Sequence, residues 1–227
     1  MMKTHSNRAA LWSEFFGTFA LIFCGTGAVI IDGATNGAVS HAGIALTFGL
    51  VVMALIYTFG EVSGAHFNPA VTLAFWAAKR FEAQKILPYF AAQFGGAIAA
   101  SLLLKLMFPA PTNLGATMPR GSALQSLLLE IVLTWFLMLV ILSVSSGAKE
   151  KGITAGIAIG AVVGLEAMFA GPISGASMNP ARSLAPALVS LQFHDLWIYF
   201  LGPILGALLA VPTRLLTQFP TSILETT

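Results

Sequence analysis

Two short strings carry the chemistry of this chain. Ser63-Gly64-Ala65-His66-Phe67-Asn68-Pro69-Ala70 recurs 111 residues later as Ser174-Gly175-Ala176-Ser177-Met178-Asn179-Pro180-Ala181. Asparagine is a strong helix N-cap, and proline at the first helical position loses no hydrogen bond while presetting φ. A single Asn-Pro-Ala is therefore a capped helix and nothing more. Two copies at matching places are different. Each opens an apolar stretch, Asn68 to Ala78 and Asn179 to Leu191, too short for the roughly 20 residues of a membrane span. If two such half-helices meet end to end, their partial positive N-termini converge. Asn68 and Asn179 then offer amide donors, and the Ser-Gly-Ala stretches offer carbonyls. Such a place repels cations and protons while neutral polar molecules hydrogen-bond and pass. Irregular backbone at membrane depth is tolerated only where it is buried or lines a watery cavity. Arg182, directly after the second string, is costly in a membrane unless it faces such a cavity.

The elements that position these residues follow from composition. Hydrophobic residues make up 57% of the 227, charged residues only 9%, and the net charge is +2. Soluble domains carry roughly 25% charged residues. Mean hydropathy is +0.86. A soluble enzyme, a disordered protein and a nucleic-acid binder are excluded, and the basic pI of 8.9 rests on two surplus charges. The single cysteine, Cys24, excludes a disulfide framework and a Cys-based metal site, and no metal or cofactor is expected. The class is an all-α integral membrane protein in a lipid bilayer.

Six apolar stretches are long enough to span: Leu11 to Ile31, His41 to Phe59, Ala83 to Phe108, Ser122 to Ser145, Ile153 to Ala170 and Leu196 to Leu216. Turns are expected at Asp32-Gly33, Pro109-Ala110-Pro111, Ser146-Gly147 and Gly171-Pro172. The first stretch holds Glu14 and exceeds a signal-peptide core, so a cleaved signal is not expected. Continuous runs without alternation argue against a β-barrel.

The repeat organises the chain. Ala42-Gly43-Ile44-Ala45 is echoed by Ala155-Gly156-Ile157-Ala158, and Glu14 in the first span by Glu130 in the fourth. Residues 1–115 hold three spans and the half-helix 68–78; residues 116–227 hold three spans and the half-helix 179–191. Three is odd, so the second half enters the membrane inverted, within one structural domain. Inverted repeats place their functional site at the interface near the midplane. With the N-terminus inside, Lys3, Arg8, Lys79, Arg80, Lys85, Lys149, Lys151 and Arg214 lie on the inner side, against Lys105 and Arg120 outside. That bias places both termini in the cytoplasm.

His66-Phe67-Asn68-Pro69-Ala70-Val71-Thr72 and Met178-Asn179-Pro180-Ala181-Arg182-Ser183 resemble the two signature motifs of the aquaporin, or major intrinsic protein, family. The resemblance covers nearly the whole chain. It implies an hourglass monomer with its own pore, packed as a homotetramer in the plasma membrane (the inner membrane of a bacterium). It implies a selectivity filter at Phe48, Ala167, Ala176 and Arg182, a role for His66 in the inner pore, and support of the Asn-Pro-Ala loops by Glu14 and Glu130. Strict water channels resemble Phe, His, Cys or Thr, and Arg at the filter places. Ala167 and Ala176 make the opening wider and less polar, which favours glycerol, urea-sized molecules or undissociated metalloid acids such as arsenite and boric acid. Ser183 and Ala187 stand where glycerol facilitators carry Asp and a basic residue, and Tyr199-Phe200 where they carry Pro-Leu. The string Ser-Gly-Ala-Ser-Met-Asn-Pro-Ala-Arg-Ser is most like the nodulin-like intrinsic proteins of plants and their bacterial relatives.

The remaining candidates carry alternatives. Glu14 and Glu130 are structural acceptors or a proton relay. His66 or His41 could gate by titrating near neutrality. Glu166, beside Ala167, pairs with Arg182, bonds a loop near the filter, or is a buried acid satisfied by backbone amides. Glu61 is expected to be solvated at the inner mouth. Cys24 is expected to pack. Gly17, Gly25, Gly27, Gly95-Gly96 and Gly202 read as close helix contacts. The expected function is a passive channel for water and small uncharged solutes. The alternatives are a mainly water-selective channel and an ion-coupled secondary transporter, though Asn68 and Asn179 carry no charge to couple. No catalytic set or metal-ligand spacing points to an enzyme.

Overall fold

The computed structural model describes residues 7–109, 113–145 and 149–217, without the side chains of 149–153. Eight α-helices stand among these residues: α1 Asn7–Ala34, α2 Ser40–Ser63, α3 Pro69–Ala77, α4 Ile86–Met107, α5 Ala123–Val144, α6 Lys149–Ser174, α7 Pro180–Ser190 and α8 Ile198–Leu216. A 3₁₀ turn, Ala83–Lys85, leads into α4. Six helices are long and apolar enough to cross a membrane; α3 and α7 are the short ones. Each short helix begins at its Asn-Pro step. Asn68 and Asn179 hold extended backbone and cap with their side-chain oxygens, which accept from Ala70 N at 2.9 Å and from Ala181 N at 2.9 Å.

Two expected turns are not turns. Helix α1 runs through Asp32-Gly33 to Ala34, because Asp32 is used at its end, where Oδ1 accepts from Ser40 N at 2.7 Å. Helix α6 runs through Gly171-Pro172 to Ser174. Pro172 has no N–H, so the carbonyl of Met168 loses its helical donor. His41 Nε2 supplies one instead, reaching across from α2. This contact lets the helix continue past proline. Lys3, the Ser146-Gly147 turn and Ala110-Pro111 lie outside the described residues, as do the side chains of Lys149 and Lys151.

The long helices pack as α1 on α4, α2 on α6 and α5 on α8. Small residues permit the close approaches. A Cβ on Gly49 would come within 2.6 Å of the Gly160 carbonyl, and one on Gly202 within 2.7 Å of Glu130 Cβ. A Cβ on Gly96 would strike the Phe15 carbonyl and one on Gly206 the Ile131 carbonyl. Gly17 seats the ring of Phe67, and Gly25 that of Phe48. Gly27 makes only an ordinary contact with Leu104, at 3.4 Å. The outside is apolar, with Leu87, Leu106, Leu128 and Phe169 exposed, while Glu14, Glu130, Glu166 and Arg182 are buried. Acyl chains, not water, suit such a surface. Cys24 lies on it, exposed, so the expected packing role within the chain is corrected. It sits on the face of α1 opposite Ile22, which is fully buried.

Candidate functional site

The two Asn-Pro-Ala loops hold each other. Asn68 Nδ2 donates to the Met178 carbonyl at 2.7 Å, and Asn179 Nδ2 donates to the Phe67 carbonyl at 2.9 Å. The oxygen of each amide caps its own helix while the nitrogen ties it to the other loop. The loops also share a backbone path. Ala65 and Phe67 hold φ of 51° and 50°, and Ala176 and Met178 hold 42° and 54°. Side chains other than glycine occupy this left-handed region only when surroundings impose it.

A buried carboxylate imposes it on each side. Glu14 Oε1 accepts from Ser63 Oγ at 2.8 Å and His66 N at 2.9 Å; Oε2 accepts from Phe67 N at 2.7 Å and Gln93 Nε2 at 2.8 Å. Glu130 Oε1 accepts from Ser174 Oγ at 2.7 Å and Ser177 N at 2.9 Å; Oε2 accepts from Met178 N at 2.8 Å. Tyr89 OH donates to the Ser63 carbonyl at 2.9 Å and Tyr199 OH to the Ser174 carbonyl at 2.6 Å. Gln93 and Tyr89 were invisible to motif reasoning. Their one signal is a polar group in an otherwise apolar span, which requires a partner.

A cavity of about 1120 Å³ runs past the joined loops. Phe48 and Glu61, both on α2, line it. At about 1.5 Å per residue it therefore follows roughly 20 Å of that helix. Phe48, beside Arg182, lines it together with Ala167 and Ala176, and Glu61 lies thirteen residues further along α2. Arg80, Phe81, Asn68, Asn179 and His66 also line it. The His66 ring stacks on Phe75 at 4.7 Å between centroids and its Nδ1 meets Thr72 Oγ1 at 3.0 Å. Pro69, Ala70, Pro180 and Ala181 are buried in the first turns of α3 and α7.

Arg182 Nη1 donates to the Gly115 carbonyl at 2.6 Å, and its guanidinium carbon stands 5.2 Å from the Phe48 ring centroid. Its Nε has no hydrogen-bond partner among the described residues. Glu166 corrects the expectations made for it. It is fully buried, and among the described residues neither oxygen has a hydrogen-bond partner and Arg182 has no ion pair. The reason is helical geometry: successive residues point about 100° apart at 3.6 per turn. Ala167 faces the cavity, and Glu166 is absent from its lining. Among the described residues no cluster of His, Cys, Asp and Glu could hold a metal ion.

The chain matches the family model for major intrinsic protein over residues 1–212. The chain belongs to the major intrinsic protein family. Within it, this sequence is 47% identical to Aquaporin NIP1-1 of Oryza sativa subsp. japonica over 196 residues, which cover 86% of this chain and 69% of that protein. It is 44% identical to Putative aquaporin NIP4-1 of Arabidopsis thaliana over 199 residues, covering 87% of this chain and 70% of that one. The fold matches the X-ray structure of the aquaglyceroporin from Plasmodium falciparum with a TM-score of 0.81 at 26% identity, covering 91% of this chain and 95% of that chain. The plant NIP-type aquaporins are thus close relatives. This major intrinsic protein is an integral membrane channel for water and small neutral solutes, not a catalyst.

Proposed function

We propose that this channel passes glycerol and undissociated metalloid acids such as arsenite and boric acid alongside water, and excludes protons and ions. The observation that carries this is the pair of alanines, Ala167 and Ala176, which line the same cavity as Phe48 and Arg182. Methyl groups there leave room for a carbon skeleton, while Arg182 supplies the donors for hydroxyl groups. The buried cation and the converging N-termini of α3 and α7 oppose cation entry. The uncharged Asn68 and Asn179 at the junction favour passive flow over ion coupling.

In this reading α3 and α7 are re-entrant half-helices of an inverted repeat, residues 1–115 and 116–227 within one domain. Both termini lie in the cytoplasm. Arg80, which donates to the Leu142 carbonyl at the end of α5, and Lys105, which donates to the Val189 carbonyl at the end of α7, would then mark opposite sides. The assembly is a homotetramer in the plasma membrane, the inner membrane if the source is bacterial. Mainly water-selective flow is the second reading, favoured by Ser183 and Ala187, which add neither an acid nor a base behind Arg182.

Stopped-flow light scattering on proteoliposomes separates the two. Gradients of sucrose, glycerol and boric acid are applied to the wild type and to Ala167→His. Fast glycerol and boric acid entry, lost in Ala167→His, is the expected result. Fast water flux with no solute entry would give the water-selective reading instead.

A further inference from the structure

The second loop is joined to a connecting loop by a chain of buried hydroxyls. Ser177 Oγ donates to the Asn179 carbonyl at 2.9 Å, and Ser177 Oγ meets Ser183 Oγ. Ser183 Oγ in turn meets Thr117 Oγ1 at 2.7 Å. Ser183 thus joins the Ser177 hydroxyl to that of Thr117, and Tyr199 also hydrogen-bonds the Thr117 side chain.

Thr117 belongs to the segment that holds Arg182. Gly115, two residues earlier, presents the carbonyl that accepts from Arg182 Nη1 at 2.6 Å. Thr117 is buried, and it packs on Gly175, where a Cβ would lie 3.0 Å from Thr117 Cγ2. Among the described residues the first loop has no such clasp. There the position of Ser177 is filled by His66, whose ring reaches Thr72 directly, and Gln93 closes the set by donating to Thr72 Oγ1 at 3.0 Å. The smaller Ser177 leaves Ser183 open to Thr117, from the loop between α4 and α5.

We propose that Thr117 is a positioning residue for solute selectivity. Its hydroxyl fixes the Gly115 carbonyl relative to α7, and that carbonyl fixes the guanidinium of Arg182 against the Phe48 wall. The inference rests on the solute-channel reading, in which Arg182 donors must meet the hydroxyls of a passing solute.

The test compares wild type, Thr117→Val and Thr117→Ser in proteoliposomes. Valine keeps the shape and packing on Gly175 and removes only the hydroxyl. Glycerol permeability in Thr117→Val is expected to fall about tenfold, the scale of one misplaced charged hydrogen bond, with a much smaller change for water. Thr117→Ser is expected to restore the wild-type ratio. A glycerol-to-water ratio within twofold of wild type in Thr117→Val, or a parallel fall of both fluxes, would overturn the proposal. A second readout needs no permeant: the rate at which phenylglyoxal modifies Arg182, followed by peptide mapping. A several-fold faster reaction in Thr117→Val, absent in Thr117→Ser, is expected, and equal rates would overturn the proposal whatever the fluxes do. Wild type that passes water but no glycerol would refute the solute reading alone, and the modification rate would still decide on Thr117.

Discussion

The two Asn-Pro-Ala loops share a backbone path but differ in how they are braced. Apart from the reciprocal asparagine bonds, the first is braced from its own half. Glu14 accepts four hydrogen bonds, Gln93 joins Glu14 to Thr72, and the His66 ring is packed against Phe75, Phe81 and Tyr89. The second is held more sparely. Among the described residues Glu130 accepts three, no glutamine takes part, and two contacts come from the loop between the halves, Gly115 to Arg182 and Thr117 to Ser183. The lesson is a division of labour within one repeat. In the proposed reading the first loop is a fixed abutment, and the second, braced by residues 115 and 117, sets which solute passes.

Removal of the carboxylates sharpens that contrast most strongly. Each buried donor left without an acceptor costs about 1–3 kcal/mol. Glu14→Ala strands four donors and Glu130→Ala three, so both lower the unfolding temperature in detergent severely, Glu14→Ala more. An equal or reversed order would break the comparison. Gln93→Leu comes next. It leaves Glu14 with its three other donors, and a loss of about 1–2 kcal/mol is expected, read as a modest fall in the same melting temperature. Glu166→Leu follows. Its carboxyl is buried without a hydrogen-bond partner among the described residues, so removing it relieves a desolvation penalty. The variant is expected to melt no lower than wild type and to keep its glycerol flux. A clear loss of stability would show that Glu166 has a role in the bracing. The smallest effect is expected at Cys24, which is exposed and absent from the cavity lining. Mercury salts should leave flux nearly unchanged in wild type and block it in an Ala167→Cys, Cys24→Ser channel.

The six spans were legible because continuous apolar runs of span length have few other solutions, and their ends moved by only a few residues. Two of the ends moved through specific contacts. Helix α6 passes Pro172 because His41, distant in sequence, supplies the donor that proline removes. Helix α1 absorbs Asp32-Gly33 because Ser40 N uses the aspartate. Around the loops, Glu14 and Glu130 stood out because an acid in a span requires partners. The groups that complete the bracing did not, since backbone amides and Gln93, Tyr89 and Thr117 acquire meaning only once the loops are folded. Glu166 was misread for a related reason: adjacency to Ala167 along the chain places it on a different face of the helix, away from the cavity.

The central claim, that solutes are sorted at the second loop's end of the cavity, has a direct symmetric test. Ile56 lines the cavity 111 residues before Ala167, at the corresponding place of the first half. Histidine is placed at each in turn, and the glycerol-to-water permeability ratio is measured by stopped flow in proteoliposomes. The account predicts a fall of about tenfold in Ala167→His, on the scale of one lost fit at a constriction, and a ratio near wild type in Ile56→His. Equal falls in both variants, or a fall in Ile56→His alone, would contradict it.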